Sequence, residues 1–323
     1  MKTSKIKKDV NNIELCKIAA KNLGLTTKKV ASSPIKYLLH VTNGKKFYLA
    51  SAAAPGMFPG ASRWYAHFTG SKLLSQTLLK QIGYNVIPSK AVRVKEYTSQ
   101  KACSEALSKL KVTFPALVKP DHGMNSKNIS VIEDKAQLVK VGLKHFRQKE
   151  DFMIQPIITD HTEYRIFVLN NKVELMHAKS TYHVLGDGKS TIKELLSEII
   201  PEKTDATYMA WQHKKLGTKP TSVLEKGVHF EYHLTRGPSA TFYETKKFPP
   251  AAKKWALELA KNTTTSVVGI DVFIPDDFND TDNYIIIEIN SNPGLHYLVE
   301  WFNDGESGIK IFENALKNYF NIK

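Results

Sequence analysis

Two apolar runs near the end of the chain constrain its fold most, because each carries polar groups where a buried strand should have none. Residues 267–274 read VVGIDVFI with Asp271 in the middle, and residues 284–290 read YIIIEIN with Glu288 and Asn290 near the end. Burying an acid among apolar side chains is costly unless a charge or a metal pairs with it. The two runs therefore predict two strands whose polar side chains bind a common charged partner.

The alternation of a β-strand decides which of these side chains lie together. Glu288 and Asn290 fall on one face, with Ile287 and Ile289 on the other. Two carboxylates and an amide oxygen are hard ligands that suit Mg²⁺, which keeps water and phosphate oxygens as its other ligands. We therefore predict that Asp271, Glu288 and Asn290 bind Mg²⁺ or Mn²⁺. The alternative is a half-exposed strand whose polar residues face solvent, and the turn S-N-P-G that follows favours the metal site.

A lysine follows a third apolar run, F-P-A-L-V at residues 114–118. At the end of a buried strand, Lys119 is able to supply a fixed positive charge to a phosphate chain. The polar loop after it, residues 121–128, is able to cover phosphates with main-chain N–H groups. Taken alone, a Lys-Pro pair is more simply a surface lysine at a strand end, so this interpretation needs support from the rest of the chain.

Charge and cysteine usage narrow the class of protein. The net charge of +15 attracts anions such as nucleotides or acidic peptides. The lysines are scattered and no arginine-rich stripe interleaved with aromatics occurs, which argues against a nucleic-acid surface. Cys16 and Cys103 lack metal-ligand spacing and indicate reduced thiols. No signal peptide and no apolar run of about 20 residues is visible, so we expect a soluble, cytoplasmic protein without a membrane partner.

The pattern of apolar and polar residues predicts that the chain has three regions. Residues 1–70 predict a short N-terminal α/β region, with a helix that stops at Gly24. Residues 71–160 predict a mixed β/α unit that carries the phosphate loop. Residues 161–323 predict a larger α+β unit that carries the metal site. We therefore expect an α+β protein.

Local signals predict turns and helix ends within these parts. Asn43-Gly44 and Asn170-Asn171 each lie between two β-prone runs and predict hairpins. Thr191 and Glu194 have the spacing of a capping box, which starts a helix.

Seven segments together resemble the ATP-grasp superfamily, and most closely the ATP-grasp half of cyanophycin synthetase and of bifunctional glutathione synthetases. In chain order they are SKLLSQTLLKQIGYNVIP, FPALVKPDHG, EYRIFVL, HVLGDGKSTIKELL, TSVLEKGV, GIDVFIP and IIIEINSNPGL. The pair formed by the fourth and fifth segments is more specific than the metal strands, which the whole superfamily shares. The resemblance implies an ATP-grasp fold, in which two α/β subdomains grip ATP.

The resemblance also implies roles for single residues. The positions that match nucleotide-binding residues are Lys72 and Lys119 for the phosphates, Gly123, Ser126 and Lys127 in the covering loop, Gln155, Pro156, Ile157 and Ile158 at the adenine hinge, and Glu163 for the ribose. Arg165 and Arg236 match catalytic charges that face the phosphate, the acceptor or the acyl phosphate. Asp271, Glu288 and Asn290 match the Mg²⁺ ligands.

Three departures from the family pattern matter. Gln155 stands where the family usually has Glu, although its carbonyl still offers an acceptor. The loop has one glycine, Gly123, where relatives carry several. The N-terminal region is shorter than the usual preceding domain, and no Mur-ligase-like half is visible, which argues against cyanophycin polymerisation.

The function that this resemblance implies is an ATP-dependent, ADP-forming carboxylate–amine ligase. It would form an amide or peptide bond through an acyl phosphate, on an amino acid, a peptide or another acidic substrate. The alternatives are a kinase of the same fold that phosphorylates an anionic acceptor, and a nucleotide-binding protein that has lost catalysis. Association into a homo-oligomer stays open.

Overall fold

The computed structural model gives the following elements. It describes residues 11–30, 38–51, 56–61, 63–123, 128–179, 182–197, 210, 213–214, 216–233, 242–243, 248–295, 298 and 304–323. The helices are α1 Asn12–Asn22, α2 Arg63–Gly70, α3 Lys72–Gln81, α4 Gln100–Lys109, α5 Lys135–Gln148, α6 Ile192–Ser197, α7 Pro250–Asn262 and α8 Gly305–Phe320. The strands are β1 Thr26–Val30, β2 Leu38–Thr42, β3 Phe47–Ser51, β4 Lys90–Val92, β5 Ala116–Pro120, β6 Ser130–Ile132, β7 Phe152–Pro156, β8 Thr162–Leu169, β9 Lys172–Lys179, β10 Tyr182–Leu185, β11 His229–His233, β12 Phe242–Tyr243, β13 Val267–Ile274 and β14 Ile285–Asn290.

The chain divides into two compact units, and helices and antiparallel sheets in both confirm the predicted α+β class. Unit 1 consists of Met1–Gly70, Tyr164–His177 and Phe242–Lys323, and unit 2 consists of Ser71–Glu163 and Ala178–Thr241. The functional division into residues 1–70, 71–160 and 161–323 stays a prediction.

Unit 1 contains two sheets. One has the strand order β1-β2-β3, and the other has the order β12-β9-β8-β13-β14. Its core includes buried side chains of α1 and α8, with Leu15, Phe58 and Phe312 among the largest.

The predicted local signals in unit 1 are confirmed. Helix α1 begins after Asn11, whose side chain accepts from the Glu14 N–H at 3.1 Å, and the chain leaves it through Gly24 at φ +69°. The hairpin between β8 and β9 turns through Asn170 and Asn171 at φ +48° and +60°. Asparagine tolerates this left-handed region, which a two-residue hairpin turn requires.

Unit 2 also contains two sheets, in the orders β4-β7-β5-β6 and β10-β11. The first packs against α4 and α5 around Leu107, Val118 and Phe152. The second packs with α6 around Ile192, Leu224 and Phe230. Helix α6 begins with the predicted capping box, which is confirmed by reciprocal bonds between Thr191 and Glu194 at 2.8 and 3.2 Å.

The G-D-G segment and the T-S-V-L-E-K-G-V segment lie against each other in unit 2. The Gly186 N–H donates to the Val228 carbonyl at 2.8 Å. A Cβ on Gly186 would lie 2.0 Å from the Glu225 carbonyl oxygen, so only glycine fits. The two segments that are most specific for the resemblance therefore form one piece of local structure.

Among the described residues, none of the helices combines the length and the apolar character that crossing a membrane requires.

Candidate active site

The polar face of unit 1 lies on strands β13 and β14. Their antiparallel register sets Asp271 directly opposite Glu288 and Gly269 opposite Asn290. Because cross-strand partners point to the same side of a sheet, the side chains of Asp271 and Glu288 share a face. Asn290, two residues further along β14, lies on that face as well. The structure thus brings the three predicted metal ligands together.

A β-bulge lies beside this face. Asp271 pairs with Glu288 while Val272 pairs with Ile286, so Ile287 is the extra residue of β14. Ile286 and Ile289 are buried, whereas Ile287 is half-buried. The simple alternation that placed Ile287 on one face with Ile289 is interrupted here by the inserted residue.

Arg165 on β8 faces the same carboxylate. Its Nε donates to Asp271 Oδ1 at 2.7 Å, and an Nη donates to Oδ2 at 2.6 Å. The two side chains are only 15% and 3% exposed. A bidentate pair of this kind fixes both groups and offsets the cost of burying either charge. The predicted role of Arg165 toward the phosphate or the acceptor stays a prediction.

The chemistry of this face fits a hard divalent cation. Asn290 Nδ2 lies 3.2 Å from Glu288 Oε1, which turns the Asn290 carbonyl oxygen toward other partners. Nowhere in the described part of the chain do three or more His, Cys, Asp and Glu side chains gather as a metal-binding group. Two carboxylates and one amide oxygen would hold Mg²⁺ or Mn²⁺ and leave positions for water and phosphate oxygens.

The turn after β14 packs closely on β13. A Cβ on Gly269 would lie 2.8 Å from Pro293 Cβ, so glycine is needed where the turn crosses the strand. Ser291, which is buried, hydrogen-bonds through its hydroxyl to Thr69 at 3.0 Å. These contacts hold the end of β14, where Asn290 lies.

The predicted phosphate lysines lie in unit 2, around a buried carboxylate. Lys119 on β5 is 7% exposed and Asp121, two residues further, is 5% exposed. The Ser71 hydroxyl donates to both oxygens of Asp121 at 3.0 and 2.8 Å, and the Leu73 N–H donates at 2.8 Å. A carboxylate at a helix N-terminus is stabilised by the unpaired N–H groups there. Asp121 therefore fastens the start of α3 to the end of β5.

Lys72 is the first residue of α3, and Asp121 thereby positions it. Its Nζ donates to the carbonyl oxygen of Gly123 at 2.8 Å, at the beginning of the predicted phosphate loop. Ser126 and Lys127, predicted from the same loop, lie outside the described residues.

The predicted adenine hinge follows β7. Gln155 is 2% exposed, and its Nε2 donates to the Ser89 hydroxyl oxygen at 2.5 Å. Pro156 is exposed, while Ile157 and Ile158 are half-buried. The hinge therefore places the apolar side chains of Ile157 and Ile158 beside the hydrogen-bonded amide of Gln155.

Glu163, the predicted ribose ligand, forms an ion pair in unit 2. Its Oε1 lies 2.6 Å from Lys179 Nζ, and the two side chains are 13% and 10% exposed. Arg236, predicted as a catalytic charge, lies outside the described residues.

Sequence reasoning missed several residues that support this site. They are Gln76, Ser89, Asp121 as the anchor of α3, and Lys179. Asp121 was visible in the sequence only as the first residue of the predicted phosphate loop. The other three are ordinary polar residues whose partners are distant in sequence.

Comparisons with known proteins agree with the motifs. No protein-family model matches the chain. A glutathione biosynthesis bifunctional protein of Listeria monocytogenes is 25% identical over 187 residues, covering 53% of this chain and 24% of that protein. Its counterpart in Desulfotalea psychrophila is 24% identical over 257 residues, covering 70% and 31%. A cyanophycin synthetase of Crocosphaera subtropica is 26% identical over 208 residues, covering 56% and 23%.

A solved structure extends the likeness to the whole fold. The chain spans only about a quarter to a third of the length of these curated relatives. The crystal structure of a bifunctional glutathione synthetase from Pasteurella multocida aligns with 94% of this chain and 43% of its own, with a TM-score of 0.55 and 17% identity. The seven motif segments and these relatives therefore show that the chain is similar in sequence to bifunctional glutathione-synthesis proteins and cyanophycin synthetases, and the solved structure shows that it shares the fold of a bifunctional glutathione synthetase.

Proposed function

We propose that the chain is an ATP-dependent carboxylate–amine ligase that releases ADP and forms an amide or peptide bond. The observation that carries the proposal is the face formed by Asp271, Glu288 and Asn290, with Arg165 fixed against it. Sequence likeness to proteins named for glutathione biosynthesis and for cyanophycin synthesis supports a ligase. The two glycine-containing segments that carry the specific resemblance support it further.

The side chains of unit 1 prepare a site for anions. Asp271, Glu288 and Asn290 would hold Mg²⁺ or Mn²⁺, which supplies charge neutralisation to phosphate oxygens when it is bound. Arg165 keeps Asp271 in one orientation, because its two N–H groups bind both carboxylate oxygens. Holding reacting groups in place and neutralising their charge needs no covalent nucleophile on the protein.

The side chains of unit 2 are proposed to bind ATP. Lys72 and Lys119 contribute positive charge toward the phosphates, and Gln155 accepts from the adenine amino group. Glu163 accepts from the ribose hydroxyls, and Lys179 holds its carboxylate in place. The segment 121–128 is proposed to cover the phosphates during the reaction.

The proposed reaction has two steps. A carboxylate oxygen of the first substrate attacks the γ-phosphorus, the bond from phosphorus to the β–γ bridging oxygen breaks, and ADP leaves. The amine of the second substrate attacks the acyl carbon, the C–O bond to phosphate breaks, and the amine loses a proton as inorganic phosphate leaves. Arg236 is proposed to steady the acyl phosphate before the amine attacks.

The substrate class is proposed from charge and likeness. A net charge of +15 favours anionic substrates, so we propose an amino acid, a peptide or another acidic molecule as the carboxylate. Cys16 and Cys103 are free, buried thiols, which supports a reducing compartment such as the cytoplasm.

The test combines a substrate screen with isotope transfer. ADP release is measured over amino acids and acidic peptides, and the products are identified by mass spectrometry. With the carboxylate substrate labelled by ¹⁸O, one labelled atom should appear in the released phosphate, and hydroxylamine should trap the acyl phosphate as a hydroxamate. Retention of all ¹⁸O in the organic product, with a stable phosphate ester, would replace the ligase by a kinase. Absence of ADP release with every substrate would favour a protein without catalysis.

A further inference from the structure

Three neutral polar side chains form a connected group at the predicted adenine hinge of unit 2. Gln155 Nε2 lies 2.5 Å from Ser89 Oγ and 3.5 Å from Gln76 Oε1. Ser89 Oγ in turn lies 2.7 Å from Gln76 Oε1 and 2.9 Å from the carbonyl oxygen of Ile87. Gln76 and Gln155 are both buried. The three side chains come from α3, the segment before β4, and β7.

The direction of these hydrogen bonds follows from one group that is able only to accept. The Ile87 carbonyl has no hydrogen, so the contact with Ser89 needs the serine hydroxyl as donor. A hydroxyl has one hydrogen, and both partners on this side, the Ile87 carbonyl and Gln76 Oε1, are acceptors. The Ser89 oxygen therefore meets Gln155 as an acceptor. The amide group of Gln155 that faces Ser89 must then be the donor, Nε2.

This direction matters because a glutamine amide has two unlike ends. With Nε2 turned toward Ser89, the carbonyl Oε1 occupies the other side of the amide plane. Oε1 accepts hydrogen bonds and would match the 6-amino group of adenine. The reverse orientation would present a donor, which matches the 6-carbonyl of hypoxanthine or guanine instead.

We propose that Ser89 and Gln76 are positioning residues that set the base preference of the nucleotide site by fixing the orientation of the Gln155 amide. The inference rests on the proposed function, since it takes Gln155 as the residue at the adenine amino group. A glutamate at this position would need no such group, because both of its oxygens accept. The hydrogen bonds from Ser89 and Gln76 thus make Gln155 present an acceptor, which a carboxylate presents in either orientation.

Binding of ATP and ITP tests the proposal directly. The two nucleotides differ at purine position 6, where ATP has an amino group and ITP a carbonyl. Equilibrium affinities are measured by calorimetry without carboxylate substrate, so no turnover is needed. Wild-type protein is expected to prefer ATP. In Ser89→Ala the nearer of the two acceptors for Nε2 is lost and only the longer contact to Gln76 Oε1 is left to orient the amide, so the ratio of ITP to ATP dissociation constants should fall about ten-fold or more.

A second variant separates orientation from loss of structure. In the double variant Ser89→Ala with Gln155→Glu, the carboxylate accepts in either orientation, so the preference for ATP should return. Ser108→Ala is the matched control, because Ser108 is an exposed serine on α4 of the same unit, whose hydroxyl donates to the Ser104 carbonyl of its own helix. Its ratio should equal that of wild type.

The outcomes distinguish this inference from the proposed function. Wild-type protein that binds neither nucleotide contradicts the proposed function itself. Wild-type protein that binds ATP but does not prefer it over ITP overturns the inference alone. The same follows if Ser89→Ala leaves the ratio unchanged, if it weakens both nucleotides equally, or if the double variant fails to restore the preference.

Discussion

The two units hold their predicted site residues by different means. In unit 1 the side chains stand on adjacent strands, and charge pairs with charge, as in the bidentate contact of Arg165 with Asp271. In unit 2 the side chains stand at a helix start, a strand end and a hinge. Apart from Glu163, which pairs with Lys179, they are held there by hydrogen bonds to hydroxyl, amide and main-chain groups, as Asp121 and Gln155 illustrate.

This difference has a consequence for how readily each half is found from sequence. A charge in an apolar strand violates the usual composition of a buried strand, so Asp271 and Glu288 are conspicuous. A serine or glutamine on a helix or in a loop violates nothing, so Ser89 and Gln76 are not. We expect unit 1 to respond to loss of charge, and unit 2 to respond more to loss of hydrogen-bond direction.

The largest effect is expected from Glu288→Gln in unit 1. The variant keeps the shape of the side chain but replaces a charged ligand by a neutral amide. ADP release should fall at least about 100-fold while the circular dichroism spectrum is unchanged. Glu258→Gln, at an exposed position of α7, is the matched control. Turnover like that of wild type at moderate Mg²⁺ would contradict the metal assignment.

Arg165→Ala tests whether charge pairing stabilises the face. It leaves Asp271 buried without its guanidinium partner, so the free energy of unfolding should fall by about 3–5 kcal/mol. Added Mg²⁺ should raise the melting temperature of this variant more than that of wild type, because the cation then offsets charge on Asp271 that the guanidinium offsets in the wild-type protein. Thermal denaturation with and without Mg²⁺ measures both effects. Arg93→Ala, at an exposed arginine, should change neither, and equal stability of Arg165→Ala and wild type would refute the pairing.

Lys119→Ala tests whether a buried charge also matters in unit 2. ATP affinity should fall about ten-fold or more, and Lys119→Arg should lose less, since charge counts here more than shape. Nucleotide binding is measured by calorimetry, with the exposed Lys95→Ala as control. Affinity that is unchanged by alanine at both Lys72 and Lys119 would remove the phosphate role from these lysines.

The smallest effect concerns the turn before α6, where an acid is held only by hydrogen bonds. The Ser190 hydroxyl, followed by the N–H groups of Ser190 and Lys189, lowers the pKa of Asp187 from its ordinary 3.8 to about 2. Because the pKa is lower in the folded state, the carboxylate contributes stability above about pH 4. That contribution is lost as the pH falls toward 2.

In wild type we expect the melting temperature to fall as the pH decreases from 4 to 2, and in Asp187→Asn this fall should be smaller. The variant removes the titrating group, so its melting temperature depends less on pH in this window than that of wild type. Asp276→Asn, at an exposed aspartate, is the control. If the melting temperature of Asp187→Asn depends on pH between 4 and 2 as strongly as that of wild type, these hydrogen bonds do not stabilise the turn.

The sequence by itself determined features that depend on neighbours along the chain. The helix that stops at Gly24, the hairpin turn at Asn170 and Asn171, and the capping box of Thr191 and Glu194 all follow from local backbone preferences. It also indicated which side chains would form the proposed metal site, because an acid in an apolar strand already implies a partner.

The tertiary structure alone decided which partners meet. Arg165 and Asp271 are separated by 106 residues, and Ser89 and Gln155 by 66. No local pattern chooses one arginine or one serine among many, because the choice depends on how strands and helices pack. The bulge at Ile287 was undetectable for the same reason, since a register shift is a property of two paired strands. Local backbone preferences determine each helix, strand and turn, whereas the packing of these elements determines which side chains meet at the site.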